Sequence, residues 1–193
     1  MYKISILVLL LLAGCSSSEP VSHSYLLPVS DVSVSTTLVN KSQPVVIVRP
    51  VEVAEYLSGI GLVYQVSDTQ VVQAQQNLWA ESLTDQLTRA ITQDLRQKQS
   101  RYWFDELTPA VSSAGMPALQ IRFTQFNGHY SGFAMLSGQW MLINKSDEVV
   151  TRQPFSMQVP LAEDGYDAQV KALSEGVSRL TTQVSQRVGA ITL

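Results

Sequence analysis

Few side chains in this sequence of 193 residues are of a kind that could do chemistry, and their spacing narrows the choice further. The single cysteine, Cys15, cannot form an internal disulfide or build a cysteine-rich metal site. It lies in "LLLLAGCSSSEP" (residues 9–20), between an apolar run and a Ser-rich one. A catalytic thiol needs a positioned base in a folded pocket, which that setting does not offer. The two histidines, His23 and His129, stand far apart, and neither has a second ligand at helical or hairpin spacing. A metal centre needs several convergent donors, so none is expected; His23 reads as a solvated tether residue and His129 as a loop residue of "FNGHYSG". Carboxylates come as neighbours, Asp105-Glu106, Asp147-Glu148 and Glu163-Asp164. Adjacent strand residues point to opposite faces, so no pair makes an acid/base couple. There is no Gly-x-Ser-x-Gly elbow, Gly59-x-Gly61 stops short of a dinucleotide fingerprint, and the GxxxxGK[ST] phosphate loop is missing. No catalytic residue and no bound cofactor follow from the sequence, and the chain reads as a non-enzyme.

The chemistry that suits Cys15 is attachment. Residues 1–14 have the pattern of a secretory signal, with Lys3 in a short n-region, an apolar core over residues 4–12, then small residues. The core falls well short of the ~20 residues that span a bilayer, so the segment is read as an export signal that is removed. Leu12-Ala13-Gly14-Cys15 resembles a bacterial lipobox. In proteins carrying one, the thiol becomes S-diacylglycerol cysteine, the chain is cut before it, and the new amine is acylated to N-palmitoyl cysteine. Ala13 and Gly14 let a peptidase approach the backbone closely. Lipid chains contribute about 0.8 kcal/mol per buried methylene, so several anchor durably where one does not. An aspartate after the cysteine usually signals inner-membrane retention; Ser16, by resemblance to sorted lipoproteins, directs the chain to the inner leaflet of the outer membrane.

The rest must hold that anchor's cargo. Residues 15–23, small, polar and interrupted by Pro20, read as a lipidated tether, and residues 24–193 as one domain of ordinary size. The formal charge of −3 becomes about −4 once Lys3 is removed, and no basic cluster appears. Nucleic acid is therefore not an expected partner.

Within the domain, "YLLPVS" (residues 25–30) predicts a first strand. "PVVIVRPVEV" (residues 44–53) is β-branched and predicts a strand buried on both faces. Residues 62–66 and a short return at Val71-Val72 follow, with a turn at Ser67-Asp68. From Asn77 the period changes: Trp79, Leu83, Leu87, Ile91 and Leu95 recur every four residues, predicting a helix capped by Asn77. Glu81 and Asp85 fall early in it and Arg96 and Lys98 late, as the helix dipole favours. Residues 101–107 predict a strand and 109–117 a loop. Leu119, Ile121 and Phe123 alternate with polar residues as in a half-buried strand. Residues 133–143 predict a longer strand with Leu136, Trp140 and Leu142 on one face, "NKSD" a hairpin turn, and residues 149–159 its return. After a turn at Asp164-Gly165, the residues Tyr166, Val170, Leu173, Val177, Leu180, Val184 and Val188 form the seam of a helix. That seam suits a coiled coil or a helix packed on a sheet, and its flanks lack the paired opposite charges of the former.

One segment is more than generic. "EYLSGIGLVYQVSDTQVVQAQQNLWAESLTDQLTRAITQDL", with Tyr56-Leu57, the strand from Leu62 to Gln65 and Trp79-Ala80-Glu81-Ser82-Leu83, resembles the core of the ABC-type transport auxiliary lipoproteins, in their PqiC-like branch. "YLLP" near the start, "LQIRFTQF", "AMLSGQWML" and "GYDAQVKALSEGVSRLTTQV" follow in the family's order and spacing. Many members carry an Asp-Arg pair after Tyr-Leu, whereas this chain has Ser58-Gly59. The resemblance implies an α/β fold, a single compact domain with a mixed β-sheet and two long helices packed on it. It also implies a periplasm-facing accessory role in intermembrane lipid transport that helps maintain membrane integrity. The implied partner is an MCE-domain tunnel protein anchored in the inner membrane, docked by a homo-oligomeric ring. The rival readings are an envelope lipoprotein enzyme acting on peptidoglycan or lipid, and a structural lipoprotein with no transport partner.

Overall fold

The computed structural model describes residues 21–28, 43–108 and 115–193. Along them run β1 (His23–Tyr25), β2 (Val45–Val48), β3 (Glu52–Val53), β4 (Gly61–Gln65), β5 (Val71–Trp79), helix α1 (Leu83–Lys98), β6 (Trp103–Glu106), β7 (Ala118–His129), β8 (Phe133–Ile143), β9 (Val149–Pro160) and helix α2 (Tyr166–Gly189). The architecture is α/β, one mixed sheet with both long helices packed on it.

β7 is the trunk of the sheet. On one side it pairs with β8, and β8 with β9, in an antiparallel meander whose registers run from Ala118↔Ile143 to His129↔Phe133 and from Phe133↔Pro160 to Ile143↔Val149. Strand alternation sends Leu119, Ile121, Phe123, Leu136, Trp140, Leu142 and Met157 into the core, while Arg122, Thr124 and Arg152 face water. Along its other edge β7 receives β2, β3 and β4 in succession, all parallel (Ile47↔Ala118, Glu52↔Arg122, Gln65↔His129). β6 extends β2, and β5 followed by β1 extends β4. Gly138 faces the β7 bulge between Phe123 and Gln125, where a Cβ would overlap the Arg122 carbonyl. No larger residue fits without moving a strand.

The helical seam of α2 is used against the sheet. Val170, Leu173, Val177, Leu180, Val184 and Val188 are buried and Tyr166 half-buried, with the helix lying on β7, β8, β9 and α1. The choice between coiled coil and sheet-packed helix is thereby settled for the latter. The hairpin turn at Asn144-Lys145-Ser146-Asp147 closes with Asp147 at φ 59°, and Gly165 at φ 112° opens α2, a conformation glycine adopts without strain.

Several boundaries differ from the sequence pattern. The β-branched run at residues 44–53 is two strands, because Pro50 has no N–H for the ladder. Val46, Ile47 and Val48 are nonetheless buried on both faces. β1 lies at His23–Tyr25, so His23 is a strand residue opposite Asn77 and not part of a tether. Leu27 leaves the strand to donate its N–H to Gln86 Oε1 (2.8 Å). The largest shift is at Asn77, which pairs with β1 and accepts from Tyr25 Oη (3.0 Å) instead of capping a helix. β5 continues to Trp79, and α1 begins only after Ser82. Trp79 N–H donates to Ile60 O (2.7 Å) and Ala80 N–H to Tyr25 O (2.9 Å), so pairing on both edges overrides the four-residue period. Glu81 therefore precedes the helix, and it pairs with Arg89 (2.5 Å). His129, read as a loop residue, ends β7 in register with Gln65 and Phe133.

Candidate functional site

Cys15 and Ser16, the two residues that the sequence singles out for lipid attachment and sorting, lie outside the described residues. The nearest described residue is Val21, 73% exposed, which leads directly into β1. Among the described residues no group of three or more His, Cys, Asp or Glu side chains is placed to hold a metal. His23 and His129 are on strands separated by β5 and β4; His129 bonds through Nδ1 with Ser131 Oγ (2.6 Å) and stacks on Tyr130. Of the carboxylate pairs, Asp105 takes Arg96 (2.6 Å) and Glu148 accepts from Asn144 Nδ2 (3.0 Å). Glu163 and Asp164 are exposed in the turn before α2.

The Tyr56-Leu57 pair forms a single 3-10 turn, Glu55–Leu57, riveted to the sheet. Leu57 is buried, and Tyr56 Oη donates to Thr124 O (3.0 Å) beside the Asn127 amide. Burial pushes the Tyr56 hydroxyl above the ordinary phenol range. Gln73 Nε2 donates to Tyr56 O (2.8 Å), tying the turn to β5. The next residues, Ser58 and Gly59, then Ile60 at 65% exposure, are on the surface. The atoms nearest a Cβ at Gly59 would be those of the Gln73 carboxamide (3.0 Å), which would have to shift against its bond to Tyr56 O. At this place the chain presents a neutral pair and an exposed isoleucine.

Polar groups between the helices form a lock that spacing alone does not reveal. Lys98 Nζ donates to Asp94 Oδ2 (2.7 Å), Ser178 O (2.6 Å) and the hydroxyl pair of Ser178 and Thr181 (2.9 Å each), and Thr181 Oγ1 also bonds Asp94. One turn on, Gln99 Nε2 donates to Ser185 O and Ser185 Oγ to Lys98 O (2.8 Å each). Elsewhere buried polar side chains serve backbone groups that the ladder leaves out. Thr88 Oγ1 accepts from Val51 N–H (2.9 Å), and Gln169 Nε2 donates to Val63 O (2.9 Å). The only sequence signal for the lock is an Asp at i and a Lys at i+4 on α1, the ordinary surface pairing. The Asp94 and Lys98 side chains are in fact only 10% and 25% exposed. Asp94→Ala strands the ammonium and should cost about 3 kcal/mol, lowering Tm by roughly 6–12 °C for a domain of this size. Asp94→Leu with Lys98→Met should recover most of that loss, since Thr181 retains Ser178 O as an acceptor (2.9 Å). Calorimetry of both variants checks it, and equal losses in the two would refute it.

A mixed sheet on a β7 trunk with two long helices packed against it defines the fold class. The match to the ABC-type transport auxiliary lipoprotein component family covers residues 25–185, and the chain belongs to that family. It is 35% identical over 177 residues to the intermembrane transport lipoprotein PqiC of Escherichia coli K12, covering 92% of this chain and 91% of PqiC. PqiC of Shigella flexneri matches to the same extent. Among solved structures, an uncharacterized protein shares 28% identity over 88% of this chain and 99% of its own, with a TM-score of 0.75. A Xanthomonas campestris protein at 15% identity (86% of this chain, 94% of its own, TM-score 0.67) has the same fold.

Proposed function

We propose that this chain is an outer-membrane lipoprotein, anchored through diacylglyceryl and palmitoyl groups on Cys15 and sorted by Ser16, that serves an intermembrane transport system. Its part is to dock the periplasmic end of an MCE-domain tunnel protein held in the inner membrane, so that lipid can pass. The observation that carries this reading is the match to PqiC along nearly the whole of both chains. The lipobox-like Leu12-Ala13-Gly14-Cys15 stands where such an anchor belongs. A lipid anchor confines the domain to a thin layer beside one membrane and so raises its effective concentration for an arriving partner. Tube-forming partners are closed rings, and a cyclic homo-oligomer of this chain would match one. Ser58-Gly59-Ile60 then offers the tunnel a neutral contact where many family members present a charged pair.

Affinity capture of the tagged, lipidated chain from detergent-solubilised membranes tests this directly. The expected result is co-purification of a protein with MCE domains, on a bait whose mass by light scattering is a multiple of one chain. Recovery of the bait alone under gentle extraction would overturn the docking role in favour of a structural lipoprotein.

A further inference from the structure

One end of the sheet leaves several large apolar side chains in water. Val66, Val71 and Val72 border the β4–β5 turn at 40–46% exposure, and Tyr130 in the β7–β8 turn is 50% exposed. These two turns are neighbours, since Gln65 is in register with His129 and Tyr130 N–H donates to Gln65 O (2.9 Å). Tyr130 Oη donates to Asp68 Oδ1 (2.5 Å), fixing the ring beside the β4–β5 turn. The end of β9 joins them through Leu161 N–H to Gly132 O (2.9 Å).

Chain direction sets what this end meets. β1 runs parallel to β5 (His23↔Asn77, Tyr25↔Trp79), so the chain enters β1 from the side of Val71. Only six residue steps separate Cys15 from Val21, a reach of about 20 Å at full extension. The local charge is acidic: Asp68, Glu163, Asp164 and Asp167 stand at this end against one cation, Lys171, which pairs with Asp167 (2.5 Å), and there is no Lys or Arg between Val66 and Val72 or in the β7–β8 turn. Anionic headgroups would be repelled, whereas headgroups bearing an ammonium would be met by opposite charge.

Resting on the lipid-anchor reading, we infer that the patch of Val66, Val71, Val72 and Tyr130 seats in the headgroup layer of a membrane rich in zwitterionic, ammonium-bearing phospholipid. Aliphatic side chains with a tyrosine rim suit that layer, where one end of the ring is apolar and the other wet. The contact is weak alone, but the anchor makes it intramolecular. Its consequence is orientation. An anchor by itself leaves the domain free to tumble, while anchor and patch together turn the opposite end, with the β8–β9 turn, away from the bilayer.

The test uses the full lipidated chain in phosphatidylethanolamine-rich vesicles. Acylation consumes the thiol of Cys15, so Val66→Cys, Val72→Cys and Val149→Cys each provide one site for a nitroxide; Val149 is comparably exposed (49% against 40% and 45%) but at the far end. Labels at 66 and 72 should be several-fold more accessible to oxygen and less accessible to a water-soluble nickel chelate than the label at 149. Equal nickel accessibility at all three, in protein whose mass carries the acyl chains, overturns the inference and leaves the anchor standing. A mass without acyl chains overturns both. An undiminished contrast in phosphatidylglycerol vesicles overturns the headgroup assignment.

Discussion

Replacing Cys15 with alanine should leave a folded domain that is in the wrong place and does nothing there. Among the described residues the first strand begins at His23 and the first buried core residue is Leu27, so folding is expected to proceed without the residue 15 side chain. Thermal melting of the soluble domain should match wild type within about 0.5 kcal/mol, the usual range for a change away from packed features. Location is another matter. With no thioether there are no acyl chains, and the ~0.8 kcal/mol that each buried methylene contributes to membrane residence disappears for every chain together. Fractionation should find the variant in the inner membrane or in soluble form, and it should fail to complement a deletion. The size of the defect follows from confinement. Losing a reservoir that holds the domain beside its partner lowers the effective concentration by orders of magnitude without altering any contact surface. Normal complementation by Cys15→Ala would sink the anchoring argument altogether, however well the variant folds.

What could be read in the sequence divides along physical lines. Elements whose period is satisfied by their own burial were legible almost to the residue. β8 is the run of residues 133–143, and every seam position of α2 but Tyr166 is buried. The same holds for Leu119, Ile121 and Phe123, though β7 extends six residues beyond them because β4 and β8 both pair with its far end. Elements decided by distant partners were not legible. Asn77 to Trp79 carry a spacing that fits a helix, and the winning interaction is the pairing with β4 and β1, from residues 17 and 54 positions away (Gly61↔Leu78 and Ser24↔Leu78). The Asp94–Lys98–Thr181 lock was invisible for the same reason: its members on α2 are more than 80 positions from those on α1. The attachment site proposed at Cys15 rests on a linear pattern alone, because Cys15 and Ser16 lie outside the described residues. The apolar end of the sheet became visible only when strand register brought the two turns together.

That misplaced residue, Trp79, also gives a large expected effect on stability. It is 6% exposed at the end of β5, its ring 6.3 Å from that of Phe126, and its backbone is held on both sides. Truncation to alanine removes the whole indole from a core that cannot collapse into the space, because Phe126 is itself pinned edge-on to Phe123 (5.3 Å). The cost should be about 3–5 kcal/mol, a fall in Tm of roughly 6–20 °C for a domain of this size. Trp79→Phe keeps most of the buried surface and should lose less than half as much. Much of an ordinary domain's margin disappears with the alanine variant, so its steady-state level should drop several-fold while any surviving protein is still correctly anchored. The two variants therefore have opposite signatures. Cys15→Ala is abundant and misplaced, and Trp79→Ala is correctly placed and scarce, which immunoblotting of separated membranes reads in one experiment. A Trp79→Ala protein at wild-type abundance and melting temperature would mean that the indole is not packed at the β5–β7 junction as described here.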